Sequence, residues 1–167
     1  MLGRVNQWWQ NLICTINHQM GFDVPKPLVI YLIGSLRSPR VPQVAAKLRR
    51  AGFEVFDDWH AAGAQADQKW REYEKARGHS YVEALNGYAA THVFEYDMFH
   101  LDRADVAVLV MPAGKSGHLE FGWAVGRGKR GYILFDKEPK RFDVMTKMAT
   151  GRCTSFDQLL RRLRDNI

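Results

Sequence analysis

The sequence predicts an α/β domain: a parallel sheet with helices on both faces. Three observations carry that expectation. The runs "LVIYLIG", "ADVAVLVM" and "GYILF" are apolar and rich in β-branched residues, with no polar alternation. Strands buried on both faces read this way. Segments of helical spacing separate the runs, as βαβ units require. The chain also has 167 residues and 46% hydrophobic content, enough for one domain with a sizeable core.

Each element can be justified in order. Residues 1 to about 22 have the spacing of an amphipathic helix, with Trp8, Leu12 and Ile16 on one face, and the Pro-x-Pro of "DVPKP" ends it. This predicts an N-terminal helical extension over residues 1–24 and a single α/β domain over 25–167. "LVIYLIG" is the first strand, closed by Gly34. Residues 41–51 are helical, and Gly52 is a helix stop. "FEVFDD" is a second, short strand. The polar stretch "AAGAQADQKWREYEKARGHS" departs from the alternation as a helical insertion after strand two. Residues 80–103 read as one long helix. A third strand, "ADVAVLVM", leads into the helix of "GKSGHLEFGWAVGRGK", and "GYILF" is the fourth strand. The closing amphipathic helix "SFDQLLRRLRDNI" takes Ser155 as its N-cap. The order is that of a flavodoxin/Rossmann-like fold. In such folds ligands bind beyond the carboxyl ends of the strands, at the switch point in strand order. That rule selects three loops: Gly34 to Arg40, Asp57 to Gly63 and Met111 to Ser116.

The net charge of +6 favours anionic partners. Its basic residues are dispersed apart from "GRGKR" and "LLRRLR", which points to a small phosphorylated ligand rather than nucleic acid. "GRGKRG" matches a dinucleotide-binding pattern, but it follows a helix and precedes a strand, the reverse of what that pattern needs. Cys14 and Cys153 form no metal or redox motif, so a reduced cytoplasmic setting is expected. No stretch has the apolar length of a membrane span, and the N-terminus lacks the apolar core of a signal peptide.

One residue stands out against its surroundings. Between Lys115 and Arg127 every side chain is small, apolar or aromatic except Ser116, His118 and a single acid, Glu120. Burying a lone carboxylate costs several kcal/mol or forces a large pKa shift. An acid near a helix start can point into water, steadied by the helix dipole. Here the run from Phe121 to Val125 leaves little solvated face, which favours a nucleophile or a cation stabiliser. "SLRSPR" offers Ser35, Arg37, Ser38 and Arg40 at a helix start, either as an anion site or as a solvated polar loop.

"YLIGSLRSPR", the interval from Asp97 to Asp105, and "DRADVAVLVMPAGKSGHLEFGWAVGRGKRGYILF" resemble the nucleoside 2-deoxyribosyltransferase superfamily. Within it, "GSLR" is similar to the nucleotide-binding turn of the deoxynucleoside 5′-monophosphate N-glycosidases. The resemblance implies that Glu120 attacks the anomeric carbon and expels the base. It implies that Asp97 holds sugar and base, and that Gly34, Ser35 and Arg37 hold the phosphate. Where those relatives carry a serine about six residues before the acid, this chain has Gly114, with Ser116 nearer. Relatives are dimers or larger, so a homodimer or higher homo-oligomer is expected.

The residue types suit that chemistry. Breaking an N-glycosidic bond passes through an oxocarbenium-like state that a carboxylate below the ring stabilises or bonds. A second acid can protonate or orient the leaving base, a role open to Asp97, Asp57 or Asp58. Trp59 either stacks a nucleobase or caps the core. Arg40 joins the phosphate contacts, and His118, two residues before Glu120, is a candidate substrate contact. The expected activity is base release from a nucleoside 5′-monophosphate, with no metal or organic cofactor. The alternatives are base exchange between nucleosides, glycohydrolysis of a dinucleotide such as NAD, or a nucleotide-sensing module without turnover.

Overall fold

A computed structural model describes residues 27–140 and 142–165. The expected N-terminal helix lies outside the described residues. Five parallel strands form one sheet in the order β2-β1-β3-β4-β5: β1 (Val29–Ile33), β2 (Glu54–Phe56), β3 (Val106–Val110), β4 (Arg130–Leu134) and β5 (Gly151–Cys153). Six helices accompany them: α1 (Arg40–Arg50), α2 (Ala66–Ala76), α3 (Tyr81–Leu85), α4 (Tyr88–Arg103), α5 (Lys115–Gly126) and α6 (Phe156–Arg164).

The unbroken apolar runs now have their reason. Ile30 and Leu32 of β1, with Val106, Val108 and Val110 of β3, face a core closed by Val41, Val44 and Leu48 of α1 and by Leu159 and Leu163 of α6. The alternate residues Val29, Tyr31, Ile33, Ala107 and Leu109 face a second core, closed by Leu101 of α4 and by Phe121 and Ala124 of α5. Every residue of β1 and β3 is therefore buried, whichever way it points.

From β1 the chain steps outward to β2, then returns to place β3 on the other side of β1. The switch point lies between β1 and β3, and the loops that follow them open there.

Several details refine the sequence reading. β5 was not expected: it is a three-residue strand, Gly-Arg-Cys, too short to give a hydrophobic pattern, and it is defined by its pairing with β4. The helix expected over residues 80–103 is two helices. Ser80 caps α3 in a reciprocal capping box with Glu83, and Gly87, extended at φ −76° and ψ 158°, starts α4 afresh. The insertion after β2 holds a 3₁₀ turn (Asp58–Ala62) and α2 before it reaches α3. Ser155 caps α6 by accepting the Gln158 N–H. The glycines that bring α5 close to the sheet are Gly117 and Gly131, not Gly122 and Gly126, which have open space beside them. A Cβ on Gly117 would sit 3.0 Å from Ile33, and one on Gly131 would sit 2.5 Å from Val125.

The basic cluster after α5 is structural. The Lys129 ammonium donates to the carbonyls of Asp102 and Ala104 at the end of α4, and Arg127 stacks on Trp123 at 5.0 Å. At the same end of α4, Arg103 pairs with Glu54 of β2 at 2.5 Å, and His100 stacks on Phe56 with ring centroids 3.9 Å apart. These contacts fix α4, and with it Asp97, against the sheet.

Candidate active site

Beyond the carboxyl ends of β1 and β3 lies a cavity of about 880 Å³. All three loops selected by the fold rule reach it: Gly34 to Arg37, Asp58 to Ala62, and Gly114 to Gly117. The inserted helices α2 and α3 and the start of α4 complete its wall on the side of β2. A second hollow of about 670 Å³ lies on the α1 side and shares Ser35, Arg37 and Gly114 with the first.

Glu120 and Asp97 both line the larger cavity, from α5 and α4 respectively. Glu120 is the sixth residue of its helix, in the second turn, so the helix dipole does little for its charge. Burial, and then the negative charge of Asp97, push its carboxyl up to about 7. Burial also raises Asp97 above its ordinary value. Tyr31 projects from the middle of β1 into the same cavity. Burial raises its phenol first, and the charges of Glu120 and Asp97 raise it further, so its hydroxyl stays protonated between two acids. Two carboxyls of raised pKa beside a neutral phenol form a group poised near neutrality, the signature of a site built for proton and glycosyl chemistry.

At the other side of this group the wall turns basic and rich in N–H donors. Ser35 closes a turn by bonding its hydroxyl to the Arg37 N–H at 3.2 Å and its carbonyl to the Ser38 N–H at 2.9 Å. The Arg37 side chain is exposed and makes no ion pair among the described residues. Gly114 starts α5 without a side-chain cap, which leaves the first-turn N–H groups of that helix available near Ser116.

The remaining candidates are distributed as follows. Arg40 is a staple. Its guanidinium donates to the carbonyls of Met111 at 2.8 Å and Phe135 at 2.7 Å and pairs with Asp136 at 3.7 Å, tying the ends of β3 and β4 together. It borders the smaller hollow only. Asp57 is buried against Arg49 and lies off the cavity wall, whereas its neighbour Asp58 is on it. Trp59 combines both roles considered for it. Its indole N–H donates to the Leu32 carbonyl at 2.8 Å and its ring packs on the core, yet it also lines the cavity. His118 folds back on its own helix, Nδ1 donating to the Gly114 carbonyl at 2.7 Å, and is not part of the wall.

Three wall residues escaped the sequence reading: Tyr31, Asp67 and Trp70. Tyr31 sits inside an apolar strand and reads there as core. Its hydroxyl was the available signal, because a phenol in a strand buried on both faces needs a polar destination. Asp67 and Trp70 lie three apart on α2, the spacing that puts two side chains on one helix face, but the polar insertion gave no register against the sheet.

Among the described residues no helix is long and apolar enough to cross a membrane. No protein-family model and no curated protein sequence matches the chain. Solved structures do. The chain is similar to a 2-deoxyribosyltransferase from the psychrotolerant bacterium Bacillus psychrosaccharolyticus, with TM-score 0.54 and 17% identity over 79% of this chain and 90% of that one. It is similar to a conserved protein from Enterococcus faecalis, with TM-score 0.58 and 12% identity over 85% and 100% of the two chains. A CMP N-glycosidase, BcmB, from Clostridium botulinum superposes with TM-score 0.47 and 13% identity over 81% and 98%. The first two likenesses show a shared fold, and the fold is the one that the sequence resemblance implied.

Proposed function

We propose, from a fold shared with a 2-deoxyribosyltransferase and a cavity that sets Glu120 beside Asp97, that the protein cleaves the N-glycosidic bond of a nucleoside 5′-monophosphate. The observation that carries the reading is the pair itself: two carboxyls with raised pKa on one cavity wall, with Arg37 and an uncapped helix start alongside.

In this reading the ionised Glu120 attacks C1′ of the sugar, and the C1′–N bond breaks with its electron pair leaving on the base. Asp97, which burial disposes to keep its proton, gives that proton to the departing base. Water then attacks C1′ of the glycosyl-enzyme ester, its proton passes to the Asp97 carboxylate, and Glu120 is released as a carboxylate. Ser35, Arg37, Gly114 and Ser116 receive the 5′-phosphate, with Gly34 at the floor of the turn. Trp59 borders the base, and Tyr31 lies within the field of both acids. Arg40, Asp57 and His118 act through the scaffold rather than on the substrate. Base exchange is the second reading, because the same ester yields a new nucleoside when a base replaces water, and the fold is shared with an enzyme of that name.

A homodimer completes the proposal. Of the sixteen residues of α4 only Leu101 is buried, while Tyr88 is 96% exposed and Phe94 and Phe99 about two-thirds exposed. Together with Leu119 on α5 they form an apolar surface larger than a soluble monomer usually presents.

Liquid chromatography of free base tests the activity, using wild type and Glu120→Gln with a panel of ribo- and deoxyribonucleoside 5′-monophosphates. Wild type should release base and Glu120→Gln should lose roughly a thousandfold or more. Arg37→Ala should raise KM for the monophosphate roughly ten- to a hundredfold and leave the unphosphorylated nucleoside unaffected. Silence with monophosphates but exchange with nucleosides plus a free base would give the second reading. Silence with both, and with NAD, would leave a nucleotide-binding module.

A further inference from the structure

The cavity wall is strongly acidic away from Arg37. Besides Asp97 and Glu120 it carries Asp58 and Asp67, and neither of these two makes an ion pair among the described residues. On α2, one turn from Asp67, the indole N–H of Trp70 is shut off from solvent and has no hydrogen-bond partner among the described residues. An unpaired buried donor is costly and calls for an explanation. Asp67 and Trp70 share one face of α2, and both line the cavity. The helix itself is lightly seated, since Glu74 is its one buried residue. It can therefore settle onto whatever enters.

Resting on the nucleotide reading above, the direction of the substrate follows from the wall. The phosphate belongs with Arg37, the scissile bond with Glu120 and Asp97, and the base extends toward the insertion, between Trp59 and Trp70. There it meets an acceptor that cannot donate, the Asp67 carboxylate, and a donor that cannot accept, the Trp70 N–H. We infer that α2 reads the base edge, Asp67 accepting from an exocyclic amine and Trp70 donating to the adjacent ring nitrogen. The enzyme therefore prefers amino bases, of the cytosine or adenine pattern, over their oxo counterparts uracil and hypoxanthine.

The oxo bases present the reverse pattern, a carbonyl beside a ring N–H. A carbonyl facing Asp67 sets two acceptors against each other, and an N–H facing Trp70 sets two donors against each other, so both contacts reject the wrong base. Asp58 adds a second acceptor to the same end of the wall and none of it favours a carbonyl.

Calorimetric titration with the pairs CMP and UMP, and AMP and IMP, tests this on wild type, Asp67→Asn and Trp70→Phe, with free base measured in the same samples. Wild type should bind the amino member of at least one pair roughly tenfold more tightly or better. Asp67→Asn, whose amide can donate, should abolish or reverse that preference. Trp70→Phe, which keeps the ring and loses the N–H, should weaken the amino member several-fold. Equal binding of amino and oxo members by wild type, no binding of either, or an unchanged preference in Asp67→Asn would overturn the inference. An amino preference in binding with no base released would instead sink the glycosidase reading and leave the base-reading role of α2 standing.

Discussion

A carboxylate that attacks carbon must be ionised, and Glu120 is held where ionisation is costly. With its pKa pushed up to about 7, the acid limb of kcat/KM should rise with an apparent pKa near neutrality, well above that of a solvated glutamate. Asp97→Asn removes the second cause of the shift, so besides slowing base release it should move that limb to lower pH. The same shift has a thermodynamic consequence. The folded chain holds the Glu120 proton up to about 7, while the unfolded chain releases it near 4.5. The resulting stability is fully present below pH 4.5 and is lost as pH rises through 7. Glu120→Gln should accordingly be more stable than wild type at pH 8 by about 1–3 kcal/mol, and the gap should close at pH 4. Thermal unfolding at the two pH values measures it, and an equal or lower midpoint for Glu120→Gln at pH 8 would show that the site does not strain this acid. Glu120 was legible in the sequence because it is one acid in an apolar run. Arg37 and Arg40 were not separable there: both follow the same turn, and only the carbonyls of Met111 and Phe135 reveal that Arg40 is spoken for.

The helix that carries Glu120 is set by how closely its glycine contacts let it approach the sheet. Gly131 of β4 lies under Phe121 and Val125, and an added Cβ would meet Phe121 at 2.9 Å as well as Val125 at 2.5 Å. Gly131→Ala must lift α5 or bend its side chains, at a cost of about 1–3 kcal/mol. Because Phe121 adjoins Glu120, the variant should also lower kcat, and a full kcat beside a lowered unfolding midpoint would mean that the carboxylate tolerates the shift. At this scale the long strands were readable from their unbroken apolar runs, and Ser155 from its capping position. β5 was not, since three residues carry no periodicity and pairing with β4 alone defines it. The division at Asn86 and Gly87 was masked by apolar residues on both sides, although Ser80 and Glu83 carry the capping-box spacing.

The whole molecule gathers its chemistry at one end because the chain changes direction between β1 and β3, and residues from five separate segments meet at that point. This much followed from strand order. What the order does not fix is how the insertion seats itself, which is why Asp67 and Trp70 emerged only with the structure. Nor does it fix what covers α4. Tyr88, Phe94 and Phe99 expose an aromatic face beside Val93, and Val93 and Phe94 also line the cavity, so a second copy seated there would border both active sites. Light scattering during gel filtration should give twice the chain mass, and Phe99→Asp should shift it to the monomer. A monomeric wild type at micromolar concentration would leave that face to another partner.

The most direct test of the central claim is to look for the bond itself. The protein is mixed with a nucleoside 5′-monophosphate that it cleaves, quenched in acid within the first turnovers, digested and mapped by mass spectrometry. The account predicts a phosphorylated-sugar adduct on the peptide containing Glu120, absent from Glu120→Gln. Steady release of base with no adduct on that peptide, or with an adduct on another residue, would contradict it.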